Sequence, residues 1–268
     1  MIPAPREDVG PQGACRGKGG MANRKGGRCR RVSGSEREEQ RLPNAGTGLP
    51  ASKIVPEPHW GLLIVLSGPS GVGKGTVSAR LRERAPELIY SVSVTSRSPR
   101  PGEVEGVNYF FRSRETFLRM VAEDAFLEWA EYVNNLYGTP KDFVVQNLRE
   151  GRDVLLEIEV QGALQVRERF PAGIFIFLVP PSWEELRRRI SGRGTEADAE
   201  IAARLEKSWE ELQMARHYDY IVVNDDVDRA ADRILAIITA EHLRAERMLR
   251  RVEQWLVHEG ERRPPFSS

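Results

Sequence analysis

A glycine-rich loop that ends in a lysine is the stretch of this sequence with the clearest chemistry. It runs from Gly68 to Thr76 as GPSGVGKGT, between the apolar run Leu62–Leu66 and a helical pattern over 77–84. Glycines let the backbone turn tightly, so that several N–H groups can point at one anion beside a helix N-terminus. Lys74 adds a mobile positive charge that can follow a phosphoryl group during its transfer. The order strand, loop, helix therefore predicts a phosphate-binding loop rather than a helix-capping turn.

One position in this loop departs from the usual motif. The residue after Lys74 is Gly75, where a Ser or Thr normally faces Mg²⁺, and Thr76 follows one place later. Thr76 is the candidate hydroxyl ligand. The loop alone leaves open which residue would contact the metal directly.

Two carboxylates end an apolar run that the pattern predicts to be a strand over 154–160. Glu157 and Glu159 are two residues apart, so on one strand they would point to the same face. Carboxylates in an apolar strand are costly to bury without partners. A phosphate-binding loop also needs a carboxylate nearby to hold Mg²⁺, directly or through water. These arguments favour a functional role over a solvated strand end.

A group of arginines follows farther along the chain. Arg193 stands in a Gly-Arg-Gly break between two predicted helices, which suits a loop that closes over a nucleotide. Arg189 precedes it by one helical turn, and Arg204 lies in the next predicted helix. Guanidinium groups can neutralise the charge that develops on a transferring phosphoryl group. Arg187 and Arg188 are better explained as solvated helix charges.

Composition excludes little by itself. The 268 residues carry 40 Lys and Arg against 39 Asp and Glu, so net charge favours neither nucleic acid nor membrane as a partner. Residues 1–58 are basic, rich in Gly and Pro, and without helical or strand periodicity, which predicts a disordered extension. Nucleic-acid binding would depend on that extension alone. Another interpretation is that translation starts later, at Met21.

The cysteines and the apolar runs bear on location. The two cysteines, Cys15 and Cys29, both lie in the extension, so a disulfide framework does not hold the rest of the chain. No apolar run approaches the ~20 residues that a membrane span needs. We expect a cytoplasmic protein without membrane partners, and the sequence leaves its oligomeric state open.

The apolar runs predict an α/β fold. Four of them, at 62–67, 154–160, 174–179 and 220–223, are separated by helical patterns, as in a parallel sheet covered on both faces. Further runs predict one strand over 88–95 and one terminal helix from 227 toward 257. The more polar, alternating block 92–139 is interpreted as an inserted lobe. Ligands of open α/β sheets bind beyond the carboxyl ends of the strands, where the loop, the two carboxylates and Asn224 all follow strands.

The block 95–111, TSRSPRPGEVEGVNYFF, resembles the signature of the guanylate kinases, which are P-loop nucleoside monophosphate kinases. The signature has fixed positions for Thr-Ser-Arg, then for single Arg, Glu and Gly residues, and finally for Tyr-x-Phe, and the block has the expected residue at each of them. Only Arg112, directly after the block, departs from the family's usual residue. The resemblance extends from about Gly61 to about Leu249. It includes FLEWA at 126–130, YGT at 137–139, LEIEVQG at 156–162, GRGTE at 192–196 and YIVVN at 220–224.

The resemblance implies a P-loop kinase core, an inserted α+β GMP-binding lobe and a helical lid. It implies Mg²⁺-dependent transfer of a phosphoryl group from ATP to GMP, giving ADP and GDP. The domain would span 59–258, with the core at 59–91, 140–185 and 206–258, the lobe at 92–139, the lid at 186–205 and a loose tail at 259–268.

The resemblance also implies a role for each matching residue. ATP would be bound by the loop and, near the adenine, by Asn224; the loop residues are Gly68, Pro69, Ser70, Gly71, Val72, Gly73, Lys74, Gly75 and Thr76. The transferred group would meet Lys74, Arg189, Arg193 and Arg204. The GMP phosphate would be held by Arg97, Arg100, Tyr109 and Tyr137, and the guanine by Ser93, Glu128, Thr139 and Glu159. Glu157 and Thr76 would help to place Mg²⁺, directly or through water.

The chemistry of the base agrees with this assignment. Guanine presents N1–H and the N2 amine as adjacent donors, and one carboxylate, such as that of Glu128, can accept from both. Adenine presents an acceptor at N1, so a buried carboxylate would stay unpaired. Two alternatives remain: a kinase acting on another small phosphate ester, which Glu128 and Glu159 argue against, and a non-catalytic scaffold domain that binds phosphopeptides, which Gly73, Lys74 and Arg193 argue against.

Overall fold

The structure is a computed structural model that describes residues 53–57, 59–132, 134–192 and 198–260. The predicted disorder of residues up to 52, the predicted lid residue Arg193 and most of the predicted tail lie outside the described residues. At the N-terminal side, the Ile54 N–H donates to the Arg169 carbonyl (2.7 Å), and Ile54 packs against the core. Residues before the predicted boundary at 58 therefore contact the domain.

The described strands form two sheets. In chain order they are β1 (Leu63–Ser67), β2 (Ile89–Tyr90), β3 (Val94–Thr95), β4 (Phe110–Phe111), β5 (Phe126–Tyr132), β6 (Asn135–Pro140), β7 (Val154–Glu157), β8 (Ile174–Val179) and β9 (Tyr220–Val223). One sheet has the order β2-β7-β1-β8-β9 and all its pairs are parallel. The other has the order β4-β3-β6-β5, with β3 and β4 parallel and the remaining pairs antiparallel.

The helices cover both faces of the parallel sheet, as the apolar runs predict. They are α1 (Lys74–Arg84), α2 (Arg114–Ala122), α3 (Lys141–Arg149), α4 (Val160–Arg169), α5 (Trp183–Ser191), α6 (Asp198–Gln213), α7 (Val227–His242) and α8 (Ala245–Gly260). Alternate residues of β1 point to opposite faces. Ile64 and Leu66 pack with α1 and α7, while Leu63 and Val65 pack with α3 and α4. The predicted α/β class with a mostly parallel sheet is confirmed.

The second sheet is built from the block that the sequence predicts to be an inserted lobe. It has a small apolar core of its own, formed by Val94, Phe117, Phe126 and Leu136. The rings of Phe117 and Phe126 stack with their centroids 4.5 Å apart. Ser113 is the N-cap of α2, because its side chain accepts from the Thr116 N–H.

Three local predictions were wrong in detail. The run 88–95 is two strands in different sheets: the Ser91 N–H still bonds Leu155 of the parallel sheet, whereas the Ser93 carbonyl accepts from Phe110 of the other sheet. The strand predicted over 154–160 ends at Glu157, and Glu159 is instead the N-cap of α4. The predicted terminal helix is interrupted after His242, so it forms α7 and α8.

None of the described helices is both long and apolar enough to cross a membrane.

Candidate active site

The glycine-rich loop joins β1 to α1, and two of its glycines are required because neighbouring groups approach them closely. Gly73 has a φ of 97°, and a Cβ on it would lie 2.7 Å from Asn224 Nδ2. Gly68 has a φ of 151°, and a Cβ there would lie 2.4 Å from the Leu178 carbonyl oxygen. Any larger residue at either position would be strained and would clash. The loop therefore presses against the carboxyl ends of β8 and β9, where the sequence predicts a ligand site.

Asn224 and Arg189 brace this loop. The buried Asn224 side-chain amide donates to the Val72 carbonyl (2.8 Å). Arg189 donates to the same carbonyl (3.1 Å) and to the Asn224 carbonyl (3.1 Å), and its Nε is 2.7 Å from Glu185 Oε1. Both side chains hold the backbone of the loop. Their predicted contacts with ATP and with the transferred group stay predictions.

Lys74 is the first residue of α1 and lies over the loop. Its Nζ donates to the Gly68 carbonyl (2.7 Å) and lies 3.4 Å from a carboxylate oxygen of Glu159. The Lys74 side chain is only 10 % exposed, whereas that of Glu159 is 53 % exposed. These two protein groups thus hold the ammonium group at the loop.

Ser70 of the loop is contacted by one face of α6. Its N–H donates to Glu211 Oε2 (3.1 Å), its carbonyl accepts from the Ser208 hydroxyl (3.4 Å), and its hydroxyl accepts from Arg204 (3.4 Å). Residues 204, 208 and 211 share one face because they are spaced by four and three. Burial and the charge of Glu159 raise the pKa of Glu211. Sequence reasoning selected Arg204 but missed Ser208 and Glu211, which the helical spacing could have indicated.

Glu157 lies at the end of β7, beside the first turn of α1. Its Oε1 is 3.5 Å from the position that a Cβ on Gly75 would occupy, and its Oε2 accepts from the Tyr90 hydroxyl (2.8 Å). A carboxylate oxygen is thus close to where the hydroxyl of the usual Ser or Thr would lie. Thr76 is exposed one residue farther on. Burial and the Glu157 charge raise the pKa of Tyr90, which the sequence analysis did not select.

The oxygen ligands near the loop match the coordination that Mg²⁺ prefers in proteins. Among the described residues, no group of three or more His, Cys, Asp or Glu side chains gathers as a metal site. Mg²⁺ usually takes one or two protein carboxylates and completes its octahedron with phosphate oxygens and water. Glu157 at the mouth of the loop fits that donor set.

A second group of predicted residues gathers in the inserted lobe. Both terminal nitrogens of the Arg97 guanidinium donate to the Glu103 carboxylate, at 2.6 and 2.7 Å, and the Arg100 N–H donates to the same carboxylate (2.8 Å). The ion pair holds the pKa of Glu103 at about 2. The Arg97 guanidinium lies 4.9 Å from the Tyr109 ring centroid, and the Tyr109 and Tyr137 rings are 6.0 Å apart. Arginine and tyrosine donors preorganised in this way suit a phosphate monoester.

Glu128 is the buried carboxylate of this lobe. It is 5 % exposed, and its Oε1 accepts from the Thr139 hydroxyl across the β5–β6 pair (2.6 Å). On its other side is Gly162 of α4, where a Cβ would lie 2.6 Å from Glu128 Oε2. Burial raises the pKa of Glu128 to about 7. Ser93 is half-buried and directly precedes β3.

The raised pKa predicts how GMP binding depends on pH. Below about pH 7 the Glu128 carboxyl is protonated and cannot accept from both guanine donors. The affinity for GMP should therefore increase as the pH rises through this value. We expect the KM for GMP to fall roughly tenfold between pH 6 and pH 8. Steady-state kinetics across this range measure the effect.

The control for this prediction is the Glu128→Gln variant. GMP has a phosphate that ionises near pH 6, and this ionisation also changes affinity. The variant should keep the contribution of the phosphate and lose the change centred near 7. An identical pH profile in both proteins would contradict the prediction.

The site has two halves. One half gathers the loop with Lys74, Glu157 and Asn224 at the carboxyl edge of the parallel sheet, and the other gathers Arg97, Tyr109, Tyr137, Glu128 and Thr139 in the inserted lobe. Glu159, which the family resemblance assigns to the guanine, lies beside Lys74. A parallel sheet with a phosphate-binding loop after its first strand, together with such a lobe, defines the class of P-loop nucleotide kinases.

The comparisons with known proteins agree on one family within this class. A sequence profile described as Guanylate kinase matches residues 61–241. The guanylate kinase of Halalkalibacterium halodurans is 58 % identical over 198 residues, which are 74 % of this chain and 97 % of that protein. That of Bacillus subtilis is 58 % identical over 197 residues, which are 73 % of this chain and 97 % of that protein. The chain belongs to the guanylate kinase family.

A solved structure supports the same assignment. The crystal structure of guanylate kinase from Anaplasma phagocytophilum is 38 % identical in sequence. The structural match covers 70 % of this chain and 90 % of that chain, with a TM-score of 0.59.

Proposed function

We propose that this chain transfers the terminal phosphoryl group of ATP to GMP and forms ADP and GDP, which is the reaction of its family. The observation that carries the proposal is the buried Glu128 carboxylate. It is held by Thr139 in the lobe that also carries the Arg97–Tyr109–Tyr137 group. A fixed carboxylate beside a phosphate cradle suits guanine and its 5′-phosphate. The phosphate-binding loop supplies the place for the donor nucleotide.

In the proposed mechanism the donor half binds ATP. The loop N–H groups and the start of α1 hold the β- and γ-phosphates, and Lys74 follows the transferring group. Arg204, which contacts Ser70 from α6, would reach the same phosphates. Arg193 is assigned to the transferred group by the family resemblance alone. No covalent intermediate with the protein is needed, because positioning and charge neutralisation suffice.

The acceptor half would place the GMP phosphate for in-line attack. Arg97 and Arg100 would bind its oxygens together with the Tyr109 and Tyr137 hydroxyls. Glu103, which holds Arg97 and the Arg100 backbone, preorganises this cradle. The guanine would be bound by Glu128 and Thr139, with Ser93 and Glu159 as the further predicted contacts.

The family generally requires Mg²⁺. The cation would neutralise phosphate charge during the transfer. Glu157 is the residue that we assign to hold it, because its carboxylate lies beside Gly75. Thr76 remains a second candidate. The Tyr90 hydroxyl donates to the other oxygen of Glu157 and so orients the carboxylate.

The predicted division of the chain implies motion. The lobe over 92–139 and the lid over 186–205 would close on the two nucleotides and exclude water from the transfer. Domain bounds, closure and the cytoplasmic location stay predictions. So does the expectation that nucleic acid could bind only through residues 1–58.

The function is tested by a coupled assay of ADP release with GMP, AMP, CMP and UMP side by side. We expect turnover with GMP alone. Activity with another monophosphate and not with GMP would favour a kinase of different specificity. Absence of turnover with all four would favour the scaffold alternative.

A further inference from the structure

One face of α4 lies along the edge of β5. β5 is the last strand in the order β4-β3-β6-β5, so none of the described strands pairs with it on the side away from β6. Three residues of α4, spaced by three and four, contact this edge. Gly162 faces Glu128, Gln165 bonds Trp129, and Arg169 donates to the Phe126 carbonyl. A helix of the core thus covers the strand that carries the guanine-binding carboxylate.

Gln165 makes the most specific of these contacts. Its Oε1 accepts from the Trp129 N–H (3.3 Å), and its Nε2 donates to the Trp129 carbonyl (2.9 Å). One side-chain amide therefore bonds both backbone groups of a single strand residue, as the backbone of a neighbouring strand would. The half-buried side chain is already oriented by the helix that carries it.

This contact acts directly on the geometry of Glu128. The Trp129 N–H belongs to the peptide group that links Glu128 to Trp129, and that group is planar. Fixing its orientation sets the ψ angle of Glu128 and hence the direction in which the side chain leaves the strand.

The carboxylate has little room to adapt to a different backbone. Its Oε1 bonds Thr139 at 2.6 Å, and its Oε2 lies against Gly162 at a distance that leaves no space for a Cβ. A rotated peptide would break the first contact or push the carboxylate into α4.

We propose that Gln165 is a positioning residue that sets guanine selectivity by orienting the peptide group next to Glu128. The inference depends on the proposed function, because it assumes that Glu128 binds the base. Gln165 acts through Glu128 and not on the nucleotide. Without its amide bonds, the carboxylate would remain buried but would no longer be aligned with both guanine donors.

The test uses the full-length protein with Gln165→Met, which keeps the length of the side chain and removes its hydrogen bonds. We expect the KM for GMP to rise about tenfold, because small displacements at a reaction site have effects of this size or larger. The preference for GMP over IMP, whose base lacks the N2 amine, should fall by about the same factor. The KM for ATP should change by no more than about twofold, since the donor half is untouched.

Two further variants make the experiment decisive. Gln165→Glu keeps an acceptor for the Trp129 N–H but places an oxygen against the Trp129 carbonyl, so it should change the same two quantities in the same direction. Gln146→Met is the matched control, because Gln146 lies in α3 and donates at the protein surface to Glu150, the residue directly after that helix. It should leave both kinetic quantities as in the wild type.

The outcomes separate this inference from the proposed function. The inference would be overturned if the wild type turns over GMP and the Gln165 variants keep both its KM for GMP and its preference for GMP over IMP. A lower melting temperature of the variants would not change that conclusion. Lack of GMP turnover by the wild type would overturn the proposed function itself. If Gln165→Met does not fold, the same criteria apply to Gln165→Glu.

Discussion

Replacement of Lys74 by Met is expected to lower kcat for GMP phosphorylation by about 10³-fold, the size of effect seen when one preorganised charge or donor is removed from a transition state. The Lys74 ammonium lies 2.7 Å from the Gly68 carbonyl and is mostly buried. The proposed mechanism assigns to this ammonium group the charge that develops on the γ-phosphoryl group. The backbone N–H groups of the loop remain in the variant, so the KM for ATP should rise much less than kcat falls.

The measurement is steady-state kinetics with both substrates varied, together with a melting curve. Lys53→Met is the matched control, because Lys53 is exposed and lies before the region matched by the family profile. It should keep wild-type kinetics. Lys74 is mostly buried and also donates to the Gly68 carbonyl, so the melting curve is needed to separate a loss of stability from a loss of chemistry. A Lys74→Met protein with kcat near that of the wild type would remove the donor half from the proposed mechanism.

Glu128→Gln is expected to lower kcat/KM for GMP by about 10³-fold and to abolish most of the preference for GMP over AMP. The amide can still accept from Thr139 through its oxygen. Its NH₂ group then replaces the second acceptor and opposes a guanine donor. Glu128→Ala should show the same loss of selectivity together with much lower activity.

Stability distinguishes this effect from unfolding. Burial raises the pKa of Glu128 from its ordinary value to about 7, so the folded protein binds this proton more tightly than the unfolded chain does. The ionised carboxylate therefore lowers the stability of the fold progressively between about pH 4.5 and pH 7. Since the amide carries no charge, Glu128→Gln should melt at the same or a higher temperature than the wild type at pH 8.

Glu131→Gln is the control for this substitution. Glu131 lies on the same strand, is exposed, and pairs with Arg114 at 3.0 Å. It should keep the wild-type kcat/KM and the wild-type preference for GMP. If both substitutions lowered kcat/KM equally, β5 would be shown to tolerate no change. That result would contradict the specific role of Glu128 in binding the base.

The elements of the parallel sheet could be predicted because their signal is local. β1 and β8 are buried on both faces, so they appear in the sequence as continuous apolar runs. Ser182 is the N-cap of α5, because its side chain accepts from the Glu185 N–H, and the two residues are only three apart in the sequence. The split of the run 88–95 could not be predicted from its β-branched residues, because these favour a strand without indicating which sheet it joins.

The course of the chain after β7 shows the same limit. The sequence places Glu157 and Glu159 two residues apart, and a continuous strand would align them. The chain instead turns into α4 after Glu157, so one carboxylate lies beside Gly75 and the other beside Lys74. The turn depends on how α4 packs against β5 and β1, and this packing has no signature within the strand.

The sequence by itself determined three features: the glycine-rich loop, its lysine, and the signature of arginines and tyrosines. Their chemistry resides in residue types at short, fixed spacing. Only the tertiary structure decided that Glu211 bonds Ser70 from 141 positions away, that Tyr90 orients Glu157, and that Gln165 holds the peptide beside Glu128. Each of these contacts joins elements that are distant in the chain and adjacent in the fold. Their geometry follows from the packing of helices on the sheets, which residue spacing alone does not specify.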